Sequence, residues 1–288
     1  LTRILLTGGD GQLGRELLDC ATNAGHTVRS TDRADCDVAD SIRVGEVIDE
    51  TDPEVLINCA AWTRVDDAET NADAAFRLNA LGPRVLAAAC DRKNVLLIHL
   101  STDYVFAGDA GAPIDEWQQP RPRSVYGASK LAGEQEVRNL ARRHIVVRTS
   151  WLYGRHGPNF VLTMLRAGEG QQPMRVVSDQ VGSPTWTGHL APALLRLMEL
   201  DIPGTYHLSN AGAVSWYGFA QAIFAAVGDA TEVTPIPTSE YPTPAPRPAY
   251  SVLDNRVWRL LGETPLPEWQ EGLRAYLASL VDQRAPGA

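Results

Sequence analysis

Over the first 150 residues, short continuous apolar runs alternate with stretches whose apolar positions recur every three to four residues. "RILLT" (3–7), "TVRSTD" (27–32), "EVLINCAA" (54–61), "NVLLIHLST" (94–102) and "HIVVRTS" (144–150) read as strands. An apolar run unbroken by polar residues, clearest in 94–102, is what a strand covered by helices on both faces requires. Between the runs, "GQLGRELLDCATNAG" (11–25), "SIRVGEVIDET" (41–51), "ADAAFRLNALGPRVLAAACDRK" (72–93) and "SVYGASKLAGEQEVRNLARR" (124–143) carry helical spacing, with a bend expected near Gly82 and Pro83. Strands alternating with helices imply right-handed βαβ units, hence an α/β protein with a doubly wound parallel sheet.

Beyond residue 150 the pattern is less regular. "MRVVSD" (174–179) and "GTYHLS" (204–209) read as strands, and "TGHLAPALLRLMEL" (187–200) and "PEWQEGLRAYLASLVDQ" (267–283) as helices. The proline-rich stretch "PIPTSEYPTPAPRP" (235–248) reads either as a flexible linker or as a loop of a small C-terminal lobe. The expected division is a first domain over 1–150, to which 174–209 returns, and a smaller lobe from 151–173 and 210–288.

Composition narrows the partners. The 288 residues suffice for one large α/β domain with a smaller lobe. A net charge of -9 with no basic block argues against nucleic acid. No apolar run approaches membrane-spanning length, and the first residues lack the features of a signal peptide, so a cytoplasmic protein without a membrane partner is expected. Cys20, Cys36, Cys59 and Cys90 lie far apart with no CxxC pair, which favours reduced thiols over a disulfide or a zinc site. The chain has only two lysines, Lys93 and Lys130.

Candidate chemistry begins at "LLTGGDGQLGREL" (5–17), where a strand runs through Gly8, Gly9, Gly11 and Gly14 into a helix. Glycines let the backbone approach a pyrophosphate, and the helix N-terminus offers free N–H groups and a positive dipole end. The second strand ends at Asp32, where a carboxylate can bind ribose hydroxyls and favour NADH. Arg33 follows and can neutralise a 2′-phosphate, which favours NADPH. Asp37 and Val38 lie where a loop can meet the adenine, although Asp37 reads equally as a turn residue. Small residues at Ala60 and Ala61 in "NCAAWT" (58–63) let the chain pass close to a cofactor, or pack the core.

Tyr126 and Lys130 stand four apart on a predicted helix and so share one face. Beside a cofactor, Lys130 can bind the nicotinamide ribose, and its charge would pull the tyrosine pKa from about 10 towards neutrality. Thr102, at the end of the fourth strand in "LSTDYVF" (100–106), can hydrogen-bond a substrate carbonyl.

With these motifs in order, the chain resembles the extended short-chain dehydrogenase/reductases, and most closely the dTDP-4-dehydrorhamnose reductase family among them. "TGGDGQLG", "NCAAWT", "STDYVF", "VYGASKLAGE" and "RTSWLYG" carry the likeness. "VDDAE" (65–69), "SDQVGSPT" (178–185), "TYHLSNAG" (205–212), "WYGFA" (216–220) and "YPTPAPRPAYSVLD" (241–254) extend it over nearly the whole chain.

The resemblance implies a Rossmann-type NAD(P)-binding domain with a C-terminal substrate-binding lobe. It places Gly8, Gly11, Gln12 and Leu13 at the pyrophosphate, and Asp32, Arg33, Asp37 and Val38 at the adenosine end. Ala61, Trp62, Thr63 and Leu100 would line the cofactor, which Tyr126 and Lys130 also contact. Thr102, Tyr126 and Lys130 would form the catalytic triad. Thr102, Asp103 and Trp151 would reach the sugar of a dTDP-sugar substrate, and Arg247 is a candidate for its diphosphate. The implied reaction is reduction of a 4-keto sugar by NADPH or NADH, with Tyr126 as proton donor. Asp103 and Tyr104 follow Thr102 where sugar-nucleotide dehydratases carry Asp-Glu, which favours simple reduction. A nucleotide-sugar epimerase and a non-catalytic regulatory subunit of a methionine adenosyltransferase remain as alternatives. Glu16 matches one ligand of a metal-bridged dimer in such families, but Gly188 and His189 stand where the second acidic ligand is expected. No required metal is therefore expected, and the assembly is a monomer or homodimer.

Overall fold

The computed structural model describes residues 1–170 and 173–282, so the ends of the expected lobe at 171–172 and 283–288 lie outside the described residues. The chain begins with β1 (Arg3–Thr7), α1 (Gln12–Asn23), β2 (Thr27–Thr31), α2 (Ser41–Thr51) and β3 (Val55–Asn58). There follow α3 (Val65–Thr70), α4 (Ala72–Phe76), α5 (Gly82–Lys93), β4 (Leu96–Thr102), α6 (Val125–Leu140) and β5 (His144–Thr149). Next come β6 (Leu152–Tyr153), α7 (Phe160–Gly168), β7 (Met174–Val177), β8 (Val181–Gly182), β9 (Thr185–Trp186) and α8 (Thr187–Leu200). The remainder is β10 (Gly204–His207), β11 (Val214–Ser215), α9 (Trp216–Val227), β12 (Val233–Ile236), α10 (Arg256–Leu260) and α11 (Trp269–Asp282).

Six parallel strands form the main sheet in the order β10-β5-β4-β3-β1-β2. The predicted doubly wound α/β architecture is therefore present. The strand order reverses between β1 and β3, which opens a crevice beyond their carboxyl ends. Every residue of β4 is buried. Leu96, Ile98 and Leu100 pack with Leu13 and Leu17 of α1 and Leu190 and Leu194 of α8, while Leu97 faces Val44, Leu86 and Val137 of α2, α5 and α6. Helices on both faces explain the unbroken apolar run.

The lobe has its own core, centred on Val161, Met164, Val176, Phe219, Ile223 and Leu273. Here the structure divides the stretch 174–209. β10 extends the main sheet beside β5, but β7 pairs with β12 and buries Val176 in the lobe. The strand over 174–177 is thus a lobe element, because its apolar partners lie on α7 and α9 and not on the main sheet. The proline-rich stretch is stitched down. The Ser178 N–H donates to the Ile236 carbonyl, Thr238 N–H to the Asp179 carboxylate and Ala245 N–H to Asp66 Oδ1, and just beyond the stretch Val181 N–H donates to the Ala249 carbonyl and Tyr250 N–H to Gly108. A linker would leave such groups to water.

The bend expected at Gly82 and Pro83 takes a specific form. Residues Arg77–Leu81 widen into a π-helical turn between α4 and α5. Pro83 lacks an N–H, and its ring crowds the carbonyl four residues back, that of Asn79. Gly133 of α6 lies directly against that carbonyl, where any Cβ would overlap the Asn79 oxygen.

Candidate active site

The glycine turn joins β1 to α1 against the end of β3. Gly8 sits at φ +72°, and a Cβ there would lie 2.5 Å from the Ala60 backbone nitrogen. Gly9 N–H donates to the Thr31 carbonyl and Gly11 N–H to the Gly8 carbonyl, closing the turn. Gly11 occupies the N-cap of α1 without any side-chain cap. The N–H groups of Gln12 and Leu13 are then first-turn donors left for an anion. The residues present fit a dinucleotide pyrophosphate: the cradle is one that a side chain would fill. Gly8→Ala is expected to lower dinucleotide affinity at least tenfold, about 1.4 kcal/mol, through left-handed strain and overlap with Ala60. Fluorescence titration with NADPH on folded variant measures it.

The expected adenosine-end residues divide. Asp32 Oδ1 accepts from the N–H groups of Ala34 and Asp35, shaping its own turn at the end of β2, while Arg33 is exposed. Asp37 is bound by Arg77 at 2.8 Å, and this bond, against the opposing effect of burial, holds its carboxyl below the usual range. Val38 is buried in the core against α5. Ala61, Trp62 and Thr63 follow β3, with Thr63 exposed. The Trp62 N–H donates to Asn79 Oδ1, and Asn79 Nδ2 donates back to the Trp62 carbonyl and to Ser129 of α6. Asn79 is fully buried and locks the post-β3 segment to α6, and no sequence motif marks it.

At the ends of β4 and α6 the three candidate catalytic residues come together. Ser124 caps α6 through the Gly127 N–H, starting the helix just before Tyr126. Tyr126 is buried, with its ring edge-on to Tyr104 at 5.5 Å. Burial pushes its phenol up to about 12; the Thr102 hydroxyl lowers it and the Asp103 charge raises it further. Lys130 is 3% exposed, and its Nζ donates to the Leu100 carbonyl at 2.6 Å. Burial brings its ammonium down to about 8, partly offset by Glu134. The structure therefore corrects the expected pull of Lys130 on Tyr126. The ammonium is bonded to the strand, and desolvation of the phenol dominates.

Asp103 is buried beside Thr102, whose hydroxyl donates to its Oδ1 at 3.0 Å, and burial raises its carboxyl to about 6. Trp151 holds a left-handed backbone at φ +47°. Its indole stacks on Trp216 of α9 at 3.4 Å and 3°, and Gly182 lies against it so closely that a Cβ would overlap the ring. The indole is thus packed between these neighbours. Arg247 forms an ion pair with Asp66 of α3 at 2.7 Å and donates to the Ala245 carbonyl. Glu16 is held by Arg155 at 2.9 Å and by the Thr187 hydroxyl, so its carboxylate is engaged within the chain. An open hollow of about 350 Å³ lies beside Phe106, Asp109 and Arg121; none of Thr102, Tyr126 and Lys130 lines it. Among the described residues no helix is long and apolar enough to cross a membrane.

Residues 2–281 match the RmlD substrate binding domain family. The chain is 43% identical to a dTDP-4-dehydrorhamnose reductase of Mycolicibacterium smegmatis, covering 99% of this chain and 88% of that protein. It is 41% identical to the spore coat polysaccharide biosynthesis protein SpsK of Bacillus subtilis, covering 96% and 97%. A crystal structure of a dTDP-4-dehydrorhamnose reductase from Bacillus anthracis, in complex with NADP, superposes with a TM-score of 0.95 at 40% identity, covering 96% of this chain and 99% of that one.

Proposed function

Because the chain belongs to the RmlD substrate binding domain family, we propose that it reduces the 4-keto group of dTDP-4-dehydro-β-L-rhamnose to give dTDP-L-rhamnose. The observation that carries this reading is the convergence of three features at the carboxyl ends of the strands. They are a glycine cradle under a helix N-terminus, a buried protonated phenol, and a buried ammonium one turn further along the same helix.

NADPH or NADH, when bound, supplies the hydride. Gly8, Gly11, Gln12 and Leu13 would hold the pyrophosphate, with Asp32 and Arg33 at the adenosine ribose. Asp37 acts there through Arg77, which it orients, and Val38 supports the loop from the core. Ala61, Trp62, Thr63 and Leu100 wall the nicotinamide end, and Lys130 holds its ribose hydroxyls. Tyr126 gives its phenolic proton to the sugar oxygen at C4. A phenol with a pKa of about 12 keeps that proton throughout the neutral range, which suits a reductase. Thr102 hydrogen-bonds the same oxygen and steadies its developing charge. Asp103 and Trp151 shape the sugar subsite, and Arg247 is the candidate partner of the diphosphate.

The test is NAD(P)H oxidation with the 4-keto sugar generated in situ. Stoichiometric oxidation supports the reading. Turnover without net oxidation would indicate an epimerase, and binding without turnover a non-catalytic subunit. Run with both cofactors, the assay also reads the adenosine end. Arg33→Ala is expected to raise the KM for NADPH about tenfold and leave that for NADH nearly unchanged, since only NADPH carries the 2′-phosphate.

A further inference from the structure

Beneath Lys130, α6 buries a carboxylate. Glu134 lies four residues on and is fully buried. Its Oε1 accepts from Ser101 Oγ at 2.6 Å and Arg148 Nε at 2.9 Å, and its Oε2 from Arg148 Nη2 and Arg138 Nη2, both at 2.7 Å. Leu100 and Ser101 are neighbours on β4. The first takes the bond from Lys130 and the second gives the bond to Glu134, so two residues one turn apart on α6 grip two consecutive residues of β4. Arg148 in turn stands over the Phe106 ring and faces His207 of β10.

We propose that Glu134 is a positioning residue for Lys130: its carboxylate fixes the register of α6 on β4 beneath the ammonium and supplies negative charge to that buried cluster. The inference rests on the proposed role of Lys130 at the cofactor ribose. Other groups around it do not substitute for that charge. The Cys59 thiol at the end of β3 is pushed up to about 12 by burial and stays neutral. Burial holds His99 of β4 well below its usual pKa, and His207 at about 3, so both imidazoles are neutral. Arg148 of β5 and Arg138 of α6 add positive charge, and the π-helical turn before α5 presents the uncharged Asn79. Glu134 itself stays ionised at about 2 although burial opposes it, because Arg148 and Arg138 overcome that penalty.

The experiment measures NADPH affinity by fluorescence titration from pH 6 to 10. For the wild-type protein affinity is expected to fall through a midpoint near 8. Glu134→Gln keeps the size and loses the charge, and is expected to move that midpoint down by about one unit, roughly a fivefold loss of affinity at pH 8. Glu134→Asp keeps the charge on a shorter stem; affinity should fall while the midpoint stays. An unchanged midpoint in Glu134→Gln, with or without weaker binding, overturns the proposal and leaves a packing role. Should Glu134→Gln not fold, because two arginines lose their partner, Glu134→Gln with Arg138→Gln removes one of them and is compared with Arg138→Gln alone, so that only the carboxylate differs; the same midpoint in both overturns the proposal. Failure of wild-type protein to bind NADPH would instead count against the cofactor reading itself.

Discussion

Tyr126→Phe is expected to lower kcat with the 4-keto sugar by about 10²- to 10⁴-fold, the usual contribution of a positioned proton donor. Only one oxygen is removed, from a phenol that burial keeps protonated. The ring remains edge-on to Tyr104, so packing is retained. NADPH affinity and thermal stability should therefore change little, which separates lost chemistry from lost structure. Steady-state kinetics paired with an NADPH titration and a melting curve measure all three. A kcat within threefold of wild type would remove Tyr126 as the donor. The same phenol predicts asymmetry between directions. Sugar oxidation needs phenolate as base, and below pH 11 little is present, so the reverse reaction should climb steeply with pH.

Much of this arrangement was legible because it is local or periodic. The sheet follows from apolar runs, and the cradle from glycines between a strand and a helix. Tyr126, Lys130, Glu134 and Arg138 repeat every four residues and so lie along one face of α6. The last two carry the same signal as the first two, yet a charged pair on a helix reads as solvated surface. That Glu134 is buried depends on Ser101 and Arg148, which come from two different strands. The ion pair of Asp37 was hidden for the same reason, since Arg77 arrives from forty residues away. Nor does local pattern tell whether "MRVVSD" joins the main sheet or the lobe; apolar partners on α7 and α9 decide it. The stack of Trp151 on Trp216 and the pairing of Arg247 with Asp66 are likewise long-range facts.

Lys130→Met should affect cofactor and chemistry together, and its effect should depend on pH. Binding to free protein and kcat/KM both report the ionisation of the unliganded form. Burial lowers Lys130 from 10.5 to about 8. The ammonium is therefore present below pH 8 and is lost as pH rises through it, taking with it a charge-assisted bond to the ribose hydroxyls. Wild-type kcat/KM should fall above pH 8, long before Tyr126 ionises. Methionine fills nearly the same volume but can neither donate to the Leu100 carbonyl nor hold the ribose. NADPH affinity is then expected to fall at least tenfold and kcat/KM by about 10²- to 10³-fold at pH 7, with the limb near pH 8 abolished. Tyr126→Phe should keep that limb at its lower rate. A limb that persists in Lys130→Met would assign it to another group. Asp103 is excluded by sign and position: its carboxyl, at about 6, is already charged at pH 8. The two profiles together thus tell whether one face of α6 carries both the proton and the charge beside it.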